Sequence, residues 1–167
     1  METQTDKPRK TSEAFISYVT QKLEWDKDFA SRLKRADNPN TEHYAWDIIM
    51  PWCHSADDSH KKIFCLVGAS MARNRIVHDG ELGLGEALAK IEKHGDSFSP
   101  TRLKKLLSCH DVIQLCYFLR PIIRQIEAHR LRLSYEKLLD QLLFFDLYPD
   151  RQKKKWAKDC YKVRFSS

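Results

Sequence analysis

Residues 138–164 have the sequence LLDQLLFFDLYPDRQKKKWAKDCYKVR. The first part of this stretch places apolar residues at helical spacing: Leu138, Leu139, Leu142, Leu143 and Phe145. Such a stripe must be buried against other helices. Pro149 marks a break, because proline has a fixed φ and no N–H and therefore suits the first turn of a helix. The sequence predicts an apolar helix followed by a second helix.

The second predicted helix is basic. Aromatic and thiol side chains, Trp156, Cys160 and Tyr161, are interleaved with its cations, so one edge can pack while the other faces phosphates. Trp156 has two interpretations. It either anchors the core, which we favour, or offers an exposed ring on which a base stacks.

The rest of the chain predicts an all-α protein. It has only five Gly and six Pro, many strong helix formers and no alternating strand pattern. We predict a compact bundle of eight or nine helices over residues 11–167, as one domain with a possible subdivision into two helical subdomains near residues 95–100. Residues 1–10 are expected to form a disordered tail. Helix starts are predicted from the following N-cap candidates: Thr11 or Ser12, Asp57 or Asp58, Ser99 before Pro100, Asp111, and Ser134.

The charge of the chain is unevenly distributed. The net charge is +6 over 167 residues, but residues 101–167 carry 15 Lys and Arg against seven Asp and Glu. That is +8 for this part and −2 for residues 1–100. The asymmetry indicates a basic surface for a polyanion, although such charges can also be a solvated face.

The five cysteines and the hydropathy pattern indicate a cytoplasmic protein. The cysteines are odd in number and show no CxxC spacing, so they are expected to be free thiols in a reducing compartment. No apolar run approaches the roughly 20 residues that a membrane helix needs.

Several motifs suggest catalysis or metal binding, but none is complete. The glycine-rich loop HDGELGLG at His78–Gly85 follows no strand and precedes no Lys-Ser/Thr, so we interpret it as a turn between helices. Two His-Asp pairs, at His78 and His110, lack the further ligands of metal-dependent phosphohydrolases. The candidate metal set of Cys53, His54, His60 and Cys65 matches no usual zinc spacing. We expect no catalytic residues, no metal and no cofactor.

Three segments in order resemble a known family. They are LGLGEALAKI at Leu82–Ile91, SPTRLKKLLSC at Ser99–Cys109 and WAKDCY at Trp156–Tyr161. Together they resemble the CasB small subunit of type I-E CRISPR Cascade complexes, over about Tyr44 to Val163. Glu86 departs from the family, which often has Arg after the glycine.

The resemblance implies a non-catalytic, all-helical subunit of an RNA-guided antiviral surveillance complex. Its partners would be the other Cascade subunits, a second copy of itself, the CRISPR RNA, and the target and displaced DNA strands. Neither a membrane nor a small-molecule substrate is implied. It would stabilise target-DNA binding and the R-loop by contacting the nucleic-acid backbone without sequence preference.

The charge asymmetry leads to a hypothesis about which residues supply most of a nucleic-acid surface: Arg102, Lys104, Lys105, Arg120, Arg124, Arg130, Arg132, Arg151, Lys153, Lys154 and Lys155. Arg73 and Arg75 are candidate additions to this set. Two alternatives remain open. One is a stand-alone helical regulator that binds a specific DNA sequence through a helix-turn-helix. The other is a protein-interaction module whose basic faces meet acidic partners.

Overall fold

The computed structural model describes residues 10–54, 58–94 and 97–165. Residues 1–9 of the predicted tail and the cap candidate Asp57 lie outside the described residues. The predicted all-helical fold is confirmed. The described part of the chain forms nine α-helices: α1 Thr11–Trp25, α2 Lys27–Lys34, α3 Trp46–Ile49, α4 Ser59–Arg73, α5 Leu84–Glu92, α6 Thr101–Leu107, α7 Val112–Ala128, α8 Tyr135–Leu143 and α9 Pro149–Phe165.

Short irregular elements connect these helices. Two 3-10 helices, Glu42–Ala45 and Met50–Trp52, flank α3. Two strands of two residues each, Lys93–His94 and Ser97–Phe98, pair antiparallel between α5 and α6. This hairpin is too small to change the all-α class.

The helix starts agree in part with the predicted caps. Asp111 accepts a hydrogen bond from the Gln114 N–H at 2.8 Å, and Ser134 accepts one from the Lys137 N–H at 3.2 Å, so both predicted caps are confirmed. Ser99 is not a cap, because α6 begins at Thr101 and Pro100 holds the cap position.

The start of α1 also differs from the prediction. Lys10 holds the cap position, and neither Thr11 nor Ser12 caps the helix because both lie within it. The buried Ser12 hydroxyl instead donates to Asp140 Oδ1 at 3.2 Å and joins α1 to α8. A side-chain contact between helices therefore replaces the expected cap.

Helix α4 is the centre of the bundle. Its residues 63–72 are buried without interruption, and it packs against α2, α7 and α8. A helix segment that is apolar on all sides must be covered on all sides by other parts of the protein. Helices α1, α2, α3, α7 and α8 pack around α4, whereas α5, α6 and α9 pack mainly on one another and on α7.

Helices α5 and α9 pack closely against each other. A Cβ on Gly85 would overlap the Trp156 carbonyl oxygen, so only glycine permits this approach. The Trp156 side chain is fully buried, stacks on Phe145 with ring centroids 6.0 Å apart, and donates from Nε1 to Gln141 Oε1 at 2.7 Å. Trp156 therefore belongs to the core and is not available to a base.

Within the described residues, none of the helices is both long and apolar enough to span a bilayer.

Candidate nucleic-acid interface

The structure separates the predicted basic residues into three groups and one single residue. The α6–α9 surface contains Lys104, Lys105, Arg151, Lys153, Lys154 and Lys155. The Asp37 cluster contains Arg73, Arg120 and Arg124, and the arginine cleft contains Arg75, Arg130 and Arg132. Arg102 stands apart from all three.

The α6–α9 surface joins lysines from two helices. Burial raises the pKa of the Cys109 thiol, while the positive charges of Lys153 and then Lys105 oppose that shift. Helices α6 and α9 pack against each other, so the cations of the α6–α9 surface lie on two neighbouring helices.

Most cations of this surface lack a carboxylate partner. Within residues 10–54, 58–94 and 97–165, Lys104, Arg151 and Lys154 are exposed and form no ion pair. Lys105 lies over the Phe118 ring, with Nζ 4.5 Å from the centroid. Lys155 pairs with Asp159 at 3.1 Å, an exposed i,i+4 contact of small energetic worth. These side chains remain available to an external anion.

A groove of about 1070 Å³ lies beside the cations of α9. Its basic lining residues are Lys10, Arg151, Lys154, Lys155 and Lys158. Phe144, Leu147 and Tyr148, which connect α8 to α9, also line it and are 44%, 69% and 53% exposed. Because every base has an apolar face, exposed rings beside cations suit single-stranded nucleic acid. The sequence hypothesis did not include Lys10, Lys158, Phe144 or Tyr148, although the position of Phe144 and Tyr148 beside the break at Pro149 is a signal for the two rings.

The Asp37 cluster is an ion-pair network at the surface of the bundle, centred on a buried carboxylate. The Asp37 side chain is only 7% exposed, and its Oδ2 lies 3.1 Å from Arg73 Nη1. The same oxygen is 3.5 Å from Arg120 Nε and 3.5 Å from Arg124 Nη2. Arg73 also approaches Glu127, with Nε 3.5 Å from Oε2. Arg73 is therefore held between two carboxylates, whereas Arg120 and Arg124 stay about half exposed.

Arg102 forms an ion pair with a buried carboxylate. Glu92 is 1% exposed, and its Oε1 accepts hydrogen bonds from the Arg102 N–H and from Nη1, both at 3.0 Å. The Arg102 Nε donates to Gln125 of α7. A buried carboxylate needs such a partner, so we assign Arg102 to the joint between α5, α6 and α7.

The arginine cleft lies where α4 and α7 end. It has a volume of about 290 Å³, and all three of its arginines are exposed. Arg75 and Arg130 have positive φ, at 49° and 56°. Two of the three cleft arginines therefore sit on left-handed backbone.

The carboxylates of the two His-Asp pairs serve as helix caps. Asp79 accepts from the Tyr135 N–H at 2.8 Å and the Glu136 N–H at 3.1 Å, at the start of α8. Asp111 caps α7 in the same way. Among the described residues, no three His, Cys, Asp or Glu side chains converge as metal ligands would.

The cysteine-histidine set around α4 also has a structural explanation. The His54 N–H donates to His60 Nδ1 at 3.3 Å, and Cys65 is buried in the core. Burial raises the pKa of the Cys65 thiol to about 12, so it stays protonated at neutral pH. Metal ligation needs the thiolate.

Residues 30–161 match the family described as CRISPR-associated protein Cse2. This chain belongs to the Cse2 family. The resemblance to CasB is thereby confirmed across most of the chain, including the three segments that carried it. None of the curated proteins compared with this family member matches its sequence.

Two solved structures share the fold of this family member. A Cse2-family CRISPR-associated protein from Thermus thermophilus has 20% identity and a TM-score of 0.75, covering 90% of this chain and 97% of its own. A chain from a structure titled "CRISPR RNA-guided surveillance complex" has 16% identity and a TM-score of 0.71, covering 92% of both chains. At these identities the likeness establishes the fold.

Proposed function

We propose that this chain is the non-catalytic small subunit of an RNA-guided CRISPR surveillance complex. It binds the nucleic-acid backbone without sequence preference and so stabilises target-DNA binding and the R-loop. The observation that carries this proposal is the α6–α9 surface, where exposed cations without carboxylate partners among the described residues border a groove with exposed rings. Membership of the Cse2 family and the fold shared with a chain of a surveillance complex support it.

Weak protein contacts are sufficient for this role. Replacing a DNA duplex by an RNA–DNA heteroduplex is nearly balanced in free energy, so contacts to phosphates can tip the exchange. Each phosphate that a lysine neutralises releases counterions, and binding therefore weakens steeply with salt.

The chemistry of the surface favours binding that ignores sequence. Five of the six cations that define it are lysines, which act as point charges toward phosphates. Base reading typically uses bidentate Arg, Asn or Gln contacts in the major groove. Rings such as Tyr148 stack on any base, which suits a displaced single strand.

The partners follow from this role. They are the other subunits of the complex, a second copy of this chain, the CRISPR RNA, and the target and displaced DNA strands. The place of action is the cytoplasm. No cofactor is needed, and the capping roles of Asp79 and Asp111 support a function without catalysis.

The test uses a complex reconstituted with guide RNA and labelled target DNA. In one variant Lys153, Lys154 and Lys155 are all replaced by Glu. The matched control replaces Lys22, Lys27 and Lys34 of α1 and α2 by Glu, with the same change in net charge. We expect the first variant to shorten the R-loop lifetime roughly tenfold or more, because three phosphate contacts become repulsive.

The control variant should retain a lifetime close to that of the wild type. Circular dichroism verifies that both variants are folded. Equal lifetimes for the two variants would remove α9 from the interface. Magnesium-dependent loss of intact target DNA would contradict the non-catalytic assignment.

A further inference from the structure

Helices α4 and α7 end in the same unusual way. Each is followed by a left-handed residue, Arg75 with φ 49° and Arg130 with φ 56°. In each turn the next N–H donates to the carbonyl five residues earlier: Ile76 to Met71 at 3.0 Å and Leu131 to Ile126 at 3.3 Å. These are Schellman turns, in which glycine is the usual left-handed residue.

Arginine is less favourable than glycine in free energy at these left-handed positions. A side chain with a Cβ disfavours the left-handed region, which glycine enters freely. In the part of the chain that the structure describes, no other non-glycine residue has positive φ. Both strained residues are arginines, and both line the same cleft. Backbone strain that is retained at two residues lining one cleft indicates that their side chains have a function there.

The cleft has a fixed shape. A Cβ on Gly80 would overlap the Arg132 carbonyl oxygen, so the two walls meet backbone to backbone. The same carbonyl accepts from the Leu82 N–H at 3.1 Å, and the Ser134 N–H donates to the Leu82 carbonyl at 2.7 Å. The Arg132 Nη2 donates to the His78 carbonyl at 3.0 Å. This hydrogen bond holds the Arg132 guanidinium in place at the wall of the cleft.

The cleft keeps a positive charge after its negative groups are counted. Among the described residues, Glu127 is the one carboxylate that lines it, and both its oxygens are occupied: Oε2 by Arg73 at 3.5 Å and Oε1 by the Tyr135 hydroxyl at 3.1 Å. The ends of α4 and α7 add about half a negative charge each. Arg75 and Arg130 pair with none of the described carboxylates. Three guanidiniums therefore exceed the one carboxylate and the two helix ends that line the cleft.

We propose that the arginine cleft is a binding site for one phosphate group. The guanidinium fork matches the oxygens of a phosphate in two parallel hydrogen bonds, and arginines stand on both walls. About 290 Å³ lies at the low end for ligand pockets, which suits a small polar group. The inference rests on the proposed function only for the source of that phosphate, a nucleic-acid backbone. A free phosphate has the same chemistry.

The test begins with inorganic phosphate, titrated into the labelled full chain and followed by amide chemical shifts. Chloride at matched ionic strength is the reference. We expect saturable shifts confined to residues 74–80 and 130–135. Their absence would overturn the proposal.

The second arm uses the double variant Arg75→Gly/Arg130→Gly, which relieves the backbone strain and removes two guanidiniums. The control is Lys22→Gln/Lys27→Gln, which removes the same charge from α1 and α2. The glycine variant should melt at or above the wild-type temperature and lose the phosphate shifts. Its affinity for a single-stranded oligonucleotide should fall about tenfold beyond the control. Retained phosphate shifts would contradict the site.

The same measurements separate this proposal from the proposed function. The glycine variant could lose the amide shifts caused by phosphate without any change in its affinity for the oligonucleotide. That result would rule out a nucleic-acid backbone as the source of the phosphate and assign the cleft to a free phosphate. Loss of R-loop stabilisation on reversal of Lys153, Lys154 and Lys155 is independent of the cleft. The cleft can therefore fail while the proposed function stands.

Discussion

The Asp37 cluster and the arginine cleft each gather three arginines, yet their surroundings differ. In the cluster, Arg73, Arg120 and Arg124 converge on one oxygen of a carboxylate that is 7% exposed. In the cleft, the only lining carboxylate among the described residues is Glu127, which already contacts Arg73. The same residue type therefore joins helices in one place and faces solvent in the other. The acidic partner, and not the number of basic residues, decides which arginines can bind a ligand.

The two regions are adjacent. Arg73 and Arg75 lie two residues apart at the end of α4, and Glu127 borders both regions. The cluster attaches the segment after α2 to α4 and α7 through Asp37. It thereby fixes the helix ends from which the cleft is built.

The largest expected effect is the loss of the Asp37 carboxylate. Replacing Asp37 by Ala leaves Arg73 without its closest partner and should lower the free energy of unfolding by about 2 kcal/mol. The value is below that of a fully buried pair because Arg120 and Arg124 are half exposed. Urea denaturation measures it.

Asp28→Ala is the matched control for Asp37. It removes an exposed carboxylate that pairs with Arg32 at i,i+4, and the expected cost is under about 0.5 kcal/mol. If both variants unfold at the same urea concentration, the Asp37 cluster does not hold the helices together.

Replacing the cleft arginines by glycine should have a smaller effect of opposite sign. Arg75→Gly and Arg130→Gly should each raise the free energy of unfolding by up to about 1 kcal/mol, because glycine relieves the left-handed backbone. Thermal melts of the single variants measure this. A lower melting temperature would mean that these arginines stabilise the helix ends. The cleft arginines would then have a structural role like those of the Asp37 cluster, and the contrast between the two regions would be wrong.

Features with local signals were predictable from the sequence. Asp111 and Ser134 each stand directly before a helix that they cap, so the cap and its partner lie three residues apart. The apolar and basic helices around Pro149 were also predicted, because their periodicities are local. The three segments that resemble CasB lie in order along the chain, and the family match confirms them.

Features that depend on distant residues were not predictable. The sequence hypothesis did not separate the arginines that pair with Asp37 from the other basic residues, since Asp37 and Arg124 are 87 positions apart and no local pattern joins them. The core position favoured for Trp156 is confirmed, but its partners Phe145 and Gln141 and the close approach of α5 at Gly85 could not be predicted. The glycine-rich loop was interpreted as a turn, but the helix contact at Gly85 could not be read from spacing.

The most direct test of the central claim is the salt dependence of binding to labelled single-stranded and duplex DNA of unrelated sequences, with magnesium present. We expect that affinity falls tenfold or more between roughly 50 and 200 mM salt, that sequence has little influence, and that the DNA remains intact. Affinity that does not change with salt, or tight binding to a single duplex sequence, would contradict it.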